Sequence, residues 1–432
     1  MPAHDVVEIC AGAGGQSLGL HLAGFRHRLA VELDATAAQT LALNLARLHE
    51  DPDIACDHAP DIVRVGDVAD PDVWHPEDYE GVDLLAGGVP CPPFSVAGKQ
   101  LGAADERDLF AWAVELAGRV RPRAVMLENV RGLASPRFAG YRQAIADRLH
   151  ELGYWSEWRM LQAADFGVPQ LRPRFVLIAL RPEVAPYWSW PEEERTDLTV
   201  GEVLLDLVSA GGWSGAADWA TRRATGIAPT IVGGSKKHGG PDLGPTRAKR
   251  AWAELGVDAH GIADAPPPRT APKSHLPRLT TDMVARLQGW YGGEYRWDFV
   301  GRKTSVYRQI GNAFPPPVAR ALGVQLRRAF AAQGEPVRVA GRHEPHDLVY
   351  QILRDADEFV TESRILERAG GLIEAGELRR RVELLDRDFV IFDLEINGER
   401  AWRLGDFRAF RGQEDHPRHA VFADRSRLSR IS

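Results

Sequence analysis

The stretch Glu8–Leu20, EICAGAGGQSLGL, follows the apolar run DVV at residues 5–7 and opens a helix expected to start at Gln16. Gly12, Gly14 and Gly15 permit a tight turn there, with close approach of backbone to a ligand. Working outward, short apolar runs recur as DVVEICA, HRLAVEL, VDLLAGG, RAVMLEN and RFVLIAL. Stretches long enough for helices separate most of them, including RDLFAWAVELAGRV and FAGYRQAIADRLHEL. In the latter, Ile145, Leu149 and Leu152 share a face at helical spacing. Buried strands alternating with helices indicate an α/β fold with a parallel, doubly wound sheet. Glu32 ends the second run and suits a ribose hydroxyl pair, and Asp67 in VGDV stands at the end of the next strand. Alone, the glycine turn is equally compatible with tight packing. The order glycine turn, Glu32, Asp67 at successive strand ends describes an adenosine-containing ligand at the carboxyl edge of the sheet. The turn is not Gly-x-Gly-x-x-Gly and no Gly-Lys-Ser/Thr follows, which counts against NAD and against a nucleoside triphosphate.

The 432 residues allow roughly two to four domains at about 100–200 residues each. A hydrophobic share of 44% and a charged share of 26% are those of a globular chain with a sizeable core. The formal charge of −7 argues against a general nucleic-acid binder. Cys10, Cys56 and Cys91 include no Cys-x-x-Cys pair, so neither a disulfide framework nor a zinc site is expected, and no metal. A reducing, cytoplasmic setting fits. MPAHDVVEIC lacks the basic start and long apolar run of a signal peptide, and no run reaches membrane-spanning length.

The segment GGVPCPPFSVAGKQ, residues 87–100, wedges Cys91 between Pro90 and Pro92–Pro93. Proline after a residue disfavours its helical conformation, and proline before it restricts the incoming chain. The thiol therefore projects from a restricted backbone at the same sheet edge as the glycine turn. A lone cysteine is more often a small buried apolar residue. The odds move because MLENV places Glu128 at that edge and QLRPR adds Arg172 and Arg174. A cationic neighbour lowers a thiol's pKa and raises its thiolate fraction.

From about Pro182 to Pro277 the chain is rich in Gly, Pro, Trp and Ser and shows no clear periodicity. Within it, residues 222–250 hold seven Lys or Arg against one acid, Asp242. Helical signal returns in LTTDMVARLQGW, with a capping Thr and Met283, Leu287 and Trp290 on one face. FPPPVARALGVQLRRAF follows, with Val318, Leu322 and Leu326 in phase. Residues 334–344 read as a linker. Residues 345–432 read as a separate small unit of three helices and a hairpin, whose Asn-Gly pair stands between two apolar runs. That set matches a winged helix. The unit lacks lysine, and its acids outnumber its arginines.

AGAGGQSLGL, GGVPCPPFS, ENV, QLRPR and YRQIGNAFPPPVA, in that order across residues 5–330, resemble the motifs of DNA cytosine-5 methyltransferases. The resemblance implies an S-adenosylmethionine-dependent, Rossmann-like methyltransferase sheet over residues 1–181 and 278–333. Residues 182–277 would be a small irregular target recognition region, and 345–432 a C-terminal winged-helix-like α+β domain. It implies that Cys91 adds to carbon 6 of a cytosine, that Glu128 serves ring nitrogen 3, and that Arg172 and Arg174 hold the base. Cys10, Ala11, Gly12, Gly14, Gly15, Glu32, Asp67, Pro90, Leu109, Asn312 and Ala313 would surround S-adenosylmethionine. Ser95, Lys99, Gln100, Arg107, Lys236, Lys237, Arg247, Lys249 and Arg250 would meet double-stranded DNA. A cognate restriction endonuclease or another defence protein is the implied partner. Two positions depart from the family: Cys10 replaces an aromatic residue that would face a sulfonium, and Pro92 replaces Gln. Three alternatives stay open: an RNA (tRNA) cytosine-5 methyltransferase, a non-catalytic DNA-binding regulator, and a nicotinamide-linked oxidoreductase. Removal of 345–432 is expected to leave methyl transfer largely intact.

Overall fold

In the computed structural model, which describes residues 4–49, 62–90, 107–233, 242–337 and 347–408, the apolar runs of the N-terminal half join in one seven-stranded sheet. Its strands are β1 (His4–Ile9), β2 (Phe25–Glu32), β3 (Val63–Val65), β4 (Leu84–Gly87), β5 (Ala124–Val130), β6 (Trp155–Gln162) and, after the two-residue β7 (Gln170–Leu171), β8 (Pro173–Leu180). The order is β3-β2-β1-β4-β5-β8-β6. Its first five strands run parallel. Helices α1 (Gly15–Leu22), α2 (Ala35–His49), α3 (Arg107–Val120) and α4 (Ala139–Glu151) pack around it. Burial on both faces explains unbroken apolar strands such as LLAG in β4. Chain direction across the sheet reverses between β1 and β4, and a crevice opens at the carboxyl ends on either side of such a switch.

RFVLIAL reads in sequence as one more parallel strand. It is antiparallel to both β5 and β6. Residues 163–172 are too few for a helical crossover from β6, so β8 must return beside it in the opposite sense. The reversal brings the start of β8 to the carboxyl end of β5: Glu128 pairs with Val176, and Val130 with Arg174.

The region 182–277 is more regular than its sequence suggests. Helices α5 (Val200–Ser209), α6 (Ala216–Arg222) and α7 (Thr246–Glu254) gather around buried Trp213, Trp219 and Trp252. Thr199 caps α5 reciprocally with Glu202. A short β9 (Ala228–Pro229) pairs with β7. The chain then returns through α8 (Thr281–Leu287), capped by Thr280, and through α9 (Lys303–Asn312) and α10 (Pro316–Phe330). α10 lies directly on α1: a Cβ on Gly19 would stand 2.3 Å from the Pro316 carbonyl oxygen.

The C-terminal unit comprises α11 (Leu348–Ala356), β10 (Val360–Thr361), α12 (Glu362–Arg368), α13 (Ala375–Leu385) and the hairpin β11 (Phe389–Ile396)–β12 (Glu399–Phe407). Asn397 and Gly398 turn the hairpin with φ of 53° and 81°, the left-handed pair that a two-residue connection requires. The sequence reads this unit as separate. It is seated on α4, and Leu385, Phe389 and Phe407 share one core with Tyr141, Phe110 and the sheet. Among the described residues no helix is long and apolar enough to cross a membrane.

Candidate active site

A cavity of about 720 Å³ occupies the switch point. Its floor is the glycine turn, where Cys10, Gly12 and Gly14 take positive φ of 50°, 59° and 97°. For Cys10 that conformation costs about 1–2 kcal/mol, strain of the kind stored at functional sites. Cys10, Ala11, Gly12 and Gly15 line the cavity, as do Glu32, Asp67, Pro90, Leu109, Asn312 and Ala313. Gly14, expected among them, does not line it. A Cβ there would lie 2.5 Å from Trp297 Cζ2 and 2.8 Å from Leu41 Cδ1, so Gly14 is required by packing. Gly15 is closed against the Asn312–Phe314 segment, where a Cβ would meet the Phe314 carbonyl oxygen at 2.3 Å. Trp297 Nε1 donates to the Ala13 carbonyl at 2.7 Å and holds the turn from the far end of the chain.

Glu32 accepts from the Gly12 amide at 2.8 Å and from the Asp34 amide at 2.7 Å. Burial pushes its carboxyl above the ordinary range, against the pull of those two amides. Asp67 is buried and accepts from the Ala69 amide at 2.9 Å. Leu33, Val68 and Leu109 supply apolar wall. Gln16, 3% exposed, also lines the cavity, and neither its Oε1 nor its Nε2 has a partner among the described residues.

Across the cavity stands Glu128. Arg174 Nε lies 2.6 Å from Glu128 Oε1, with both side chains 10% exposed. The Nε–H is not aimed at the oxygen, so this is an ion pair rather than a straight hydrogen bond. Burial raises the Glu128 pKa, with Arg174 and then Arg172 opposing. The antiparallel β8 is what sets Arg174 beside Glu128.

Arg172 lines the same cavity. Its guanidinium is fully buried and donates to the carbonyls of Ile231 at 2.6 Å, Gly311 at 2.6 Å and Ala313 at 3.1 Å. It therefore ties Ile231 and the Gly311–Ala313 segment to the start of β8. Arg172→Met leaves those carbonyls without donors, at about 1–3 kcal/mol for each buried group. A loss of about 3 kcal/mol or more in urea unfolding, together with loss of turnover, is the expected result.

Besides Gln16, two residues escaped the sequence reading. Asn129 Nδ2 donates to the Val89 carbonyl at 3.2 Å, two residues before Cys91, while its Oδ1 accepts from the Val130 amide at 2.8 Å. Gln170, fully buried, donates to Gln288 Oε1 at 2.7 Å and accepts from the Ile231 amide at 2.9 Å. The available signal was an uncharged polar residue embedded in an apolar strand or beside one, which needs partners once buried.

Cys91, Ser95, Lys99, Gln100, Lys236 and Lys237 lie outside the described residues. Arg107 opens α3. Arg247 and Arg250 are exposed on α7. Lys249, expected to meet DNA, is paired with Asp242 at 2.8 Å.

The family described as C-5 cytosine-specific DNA methylase matches residues 4–328. The chain is 58% identical over 422 residues to the Type II methyltransferase M.NaeI of Lentzea aerocolonigenes, covering 98% of each. It is 47% identical over 329 residues to the Type II methyltransferase M.NgoMIV of Neisseria gonorrhoeae, covering 75% of this chain and 97% of that one. A crystal structure described as a DNA modification methyltransferase from an E. coli prophage shares the fold. Its TM-score is 0.50 at 21% identity, over 76% of this chain and all of that one.

Proposed function

We propose, from the premise that this chain belongs to the C-5 cytosine-specific DNA methylase family and is a DNA cytosine-5 methyltransferase, that it is the modification enzyme of a Type II restriction–modification pair. The donor is S-adenosylmethionine and the acceptor a cytosine turned out of a specific duplex sequence. The observation that carries this reading is the buried Glu128–Arg174 pair facing the glycine turn and Glu32 across one cavity.

The residues present fit the donor. Glu32 stands at the end of β2 for ribose hydroxyls, with Leu33, Val68 and Leu109 as apolar wall for a base. The unpartnered carboxamide of Gln16 offers a buried donor and acceptor to its polar end. When bound, the donor supplies an electrophilic methyl group to carbon 5.

The chain's own residues make carbon 5 nucleophilic. The Cys91 thiolate adds to carbon 6, and the electron pair displaced from the ring's 5,6 double bond becomes available at carbon 5. Glu128 gives or shares a proton at nitrogen 3 as the ring accepts electrons, a role suited to a carboxyl whose pKa is raised by burial. Arg174 fixes the orientation of that carboxyl, while Asn129 holds the backbone leading to Cys91. After methylation, loss of the carbon-5 proton to water, return of the nitrogen-3 proton to Glu128 and departure of the Cys91 thiolate restore the ring. A duplex hides carbon 6, so the base must leave the stack, at a cost of a few kcal/mol. DNA as substrate and the absence of a spanning helix among the described residues fit action in the cytoplasm.

The test is bisulfite sequencing of a plasmid carried with this gene in a host lacking cytosine methylation. The expected outcome is protection in a single sequence context. Protection scattered without context would exclude a Type II enzyme, and none at all would exclude DNA methylation by this chain.

A further inference from the structure

Against the expectation from sequence that residues 345–432 are dispensable for methyl transfer, we propose that the C-terminal unit, residues 347–408, is a positioning element of the methylation site, acting through α4 and Arg142. The proposal rests on the reading of Glu128 and its strand as catalytic. Ala139 through Ala146 of α4 are all buried. A helix buried on its whole circumference is packed from both sides.

One side is the C-terminal unit. Gly140 leaves no room for a side chain, since a Cβ there would lie 2.5 Å from Leu385 Cδ2 and 3.4 Å from Phe389 Cε2. The rings of Tyr141 and Phe407 are 5.4 Å apart. Asp147 accepts from Tyr350 Oη at 3.1 Å and pairs with Arg354 at 2.5 Å. Gln143 donates to the same carboxylate at 3.1 Å, so the docking group is held from its own helix.

The other side is the site. Arg142, 8% exposed, donates to the carbonyls of Leu133 at 2.7 Å and Ser135 at 2.9 Å. These belong to the segment that follows Glu128–Asn129–Val130, in which Arg131 and Gly132 line the cavity. Hydrogen bonds from a buried cation are stronger than neutral ones, so the segment is set by where α4 places Arg142. A second route runs through rings. Tyr141 meets Phe110 at 6.4 Å, beside cavity-lining Leu109. Phe110 stacks on Trp158 at 5.6 Å, and Trp158 on Phe175 at 4.9 Å. Phe175 follows Arg174 and pairs across the sheet with Asn129. The family match ends at residue 328, so the C-terminal unit lies outside what the family model describes.

Contiguity alone is not coupling. The test uses the full chain carrying Gly140→Leu, alone and with Leu385→Ala. Leucine is a better helix former than glycine, so a loss cannot come from the propensity of α4. Gly140→Leu is expected to lower kcat about tenfold while KM for DNA and for S-adenosylmethionine stays unchanged. Leu385→Ala in the same chain is expected to restore kcat by vacating the space. Wild-type kcat in Gly140→Leu overturns the proposal. So does a raised KM for DNA at wild-type kcat, which would make the unit a DNA contact. If Gly140→Leu does not fold, Asp147→Asn decides by the same readouts, because it removes the charge facing Arg354 without adding volume. A wild-type protein that transfers no methyl group to DNA is a separate result, and defeats the catalytic reading itself.

Discussion

A duplex bearing 5-fluorocytosine at the target position is expected to remain covalently attached to the wild-type protein through denaturation, and Cys91→Ala to release it completely. The fluorine occupies the place of the carbon-5 proton. Once the Cys91 thiolate has added to carbon 6 and carbon 5 has been methylated, no proton is left to depart, so the thiolate cannot be expelled. The expected measurement is a protein mass raised by that of the fluorinated strand plus one methyl group, with the modified peptide containing Cys91. Attachment that survives Cys91→Ala would move the nucleophile elsewhere. Cys91→Ala is also expected to abolish methyl transfer while leaving DNA binding intact, because alanine removes the sulfur and little volume. The pairing of Asn129 with the Val89 carbonyl gives the result a structural expectation: the backbone entering the cysteine segment is held whether or not the thiol is present.

Glu128→Gln is expected to lower kcat by about 10²–10⁴-fold, the range of a positioned proton donor. Glutamine keeps the shape and can still turn its Oε1 toward the Arg174 guanidinium, so KM for DNA should change little. The pH dependence separates loss of the proton from loss of fit. Burial holds the Glu128 carboxyl above the ordinary carboxylate value despite Arg174, so its acid form persists to higher pH than that of an exposed glutamate. Wild-type kcat should therefore fall on the alkaline side as Glu128 deprotonates. In Glu128→Gln the alkaline limb arising from residue 128 should disappear. Its persistence would assign that limb to another group.

The two regions beyond the sheet show where a sequence pattern is readable. α5 announces itself through Thr199 and Glu202, a capping box ahead of Val200, Val203 and Leu204, yet the surrounding glycines and prolines concealed it. The Asn397–Gly398 hairpin was plain, because a two-residue connection needs left-handed backbone and that pair tolerates it. Asn129 and Gln170 lay inside recognised motifs without an assigned role. A carboxamide carries no charge or nucleophilicity to single it out, and its value depends on which carbonyl and amide groups fold brings within reach.

Local chemistry by itself determined the alternation of strand and helix, the glycine turn at a sheet edge, and the carboxylates at the ends of β2 and β5. These depend on period and on left-handed turns, both set within a few residues. Tertiary structure decided the direction of β8, the commitment of Arg172 to three carbonyls, the packing demand on Gly14, and the seat of the C-terminal unit on α4. Each of these follows from contacts between segments far apart in the chain. A buried group's role is fixed by the partner it meets there, and no local pattern specifies that partner.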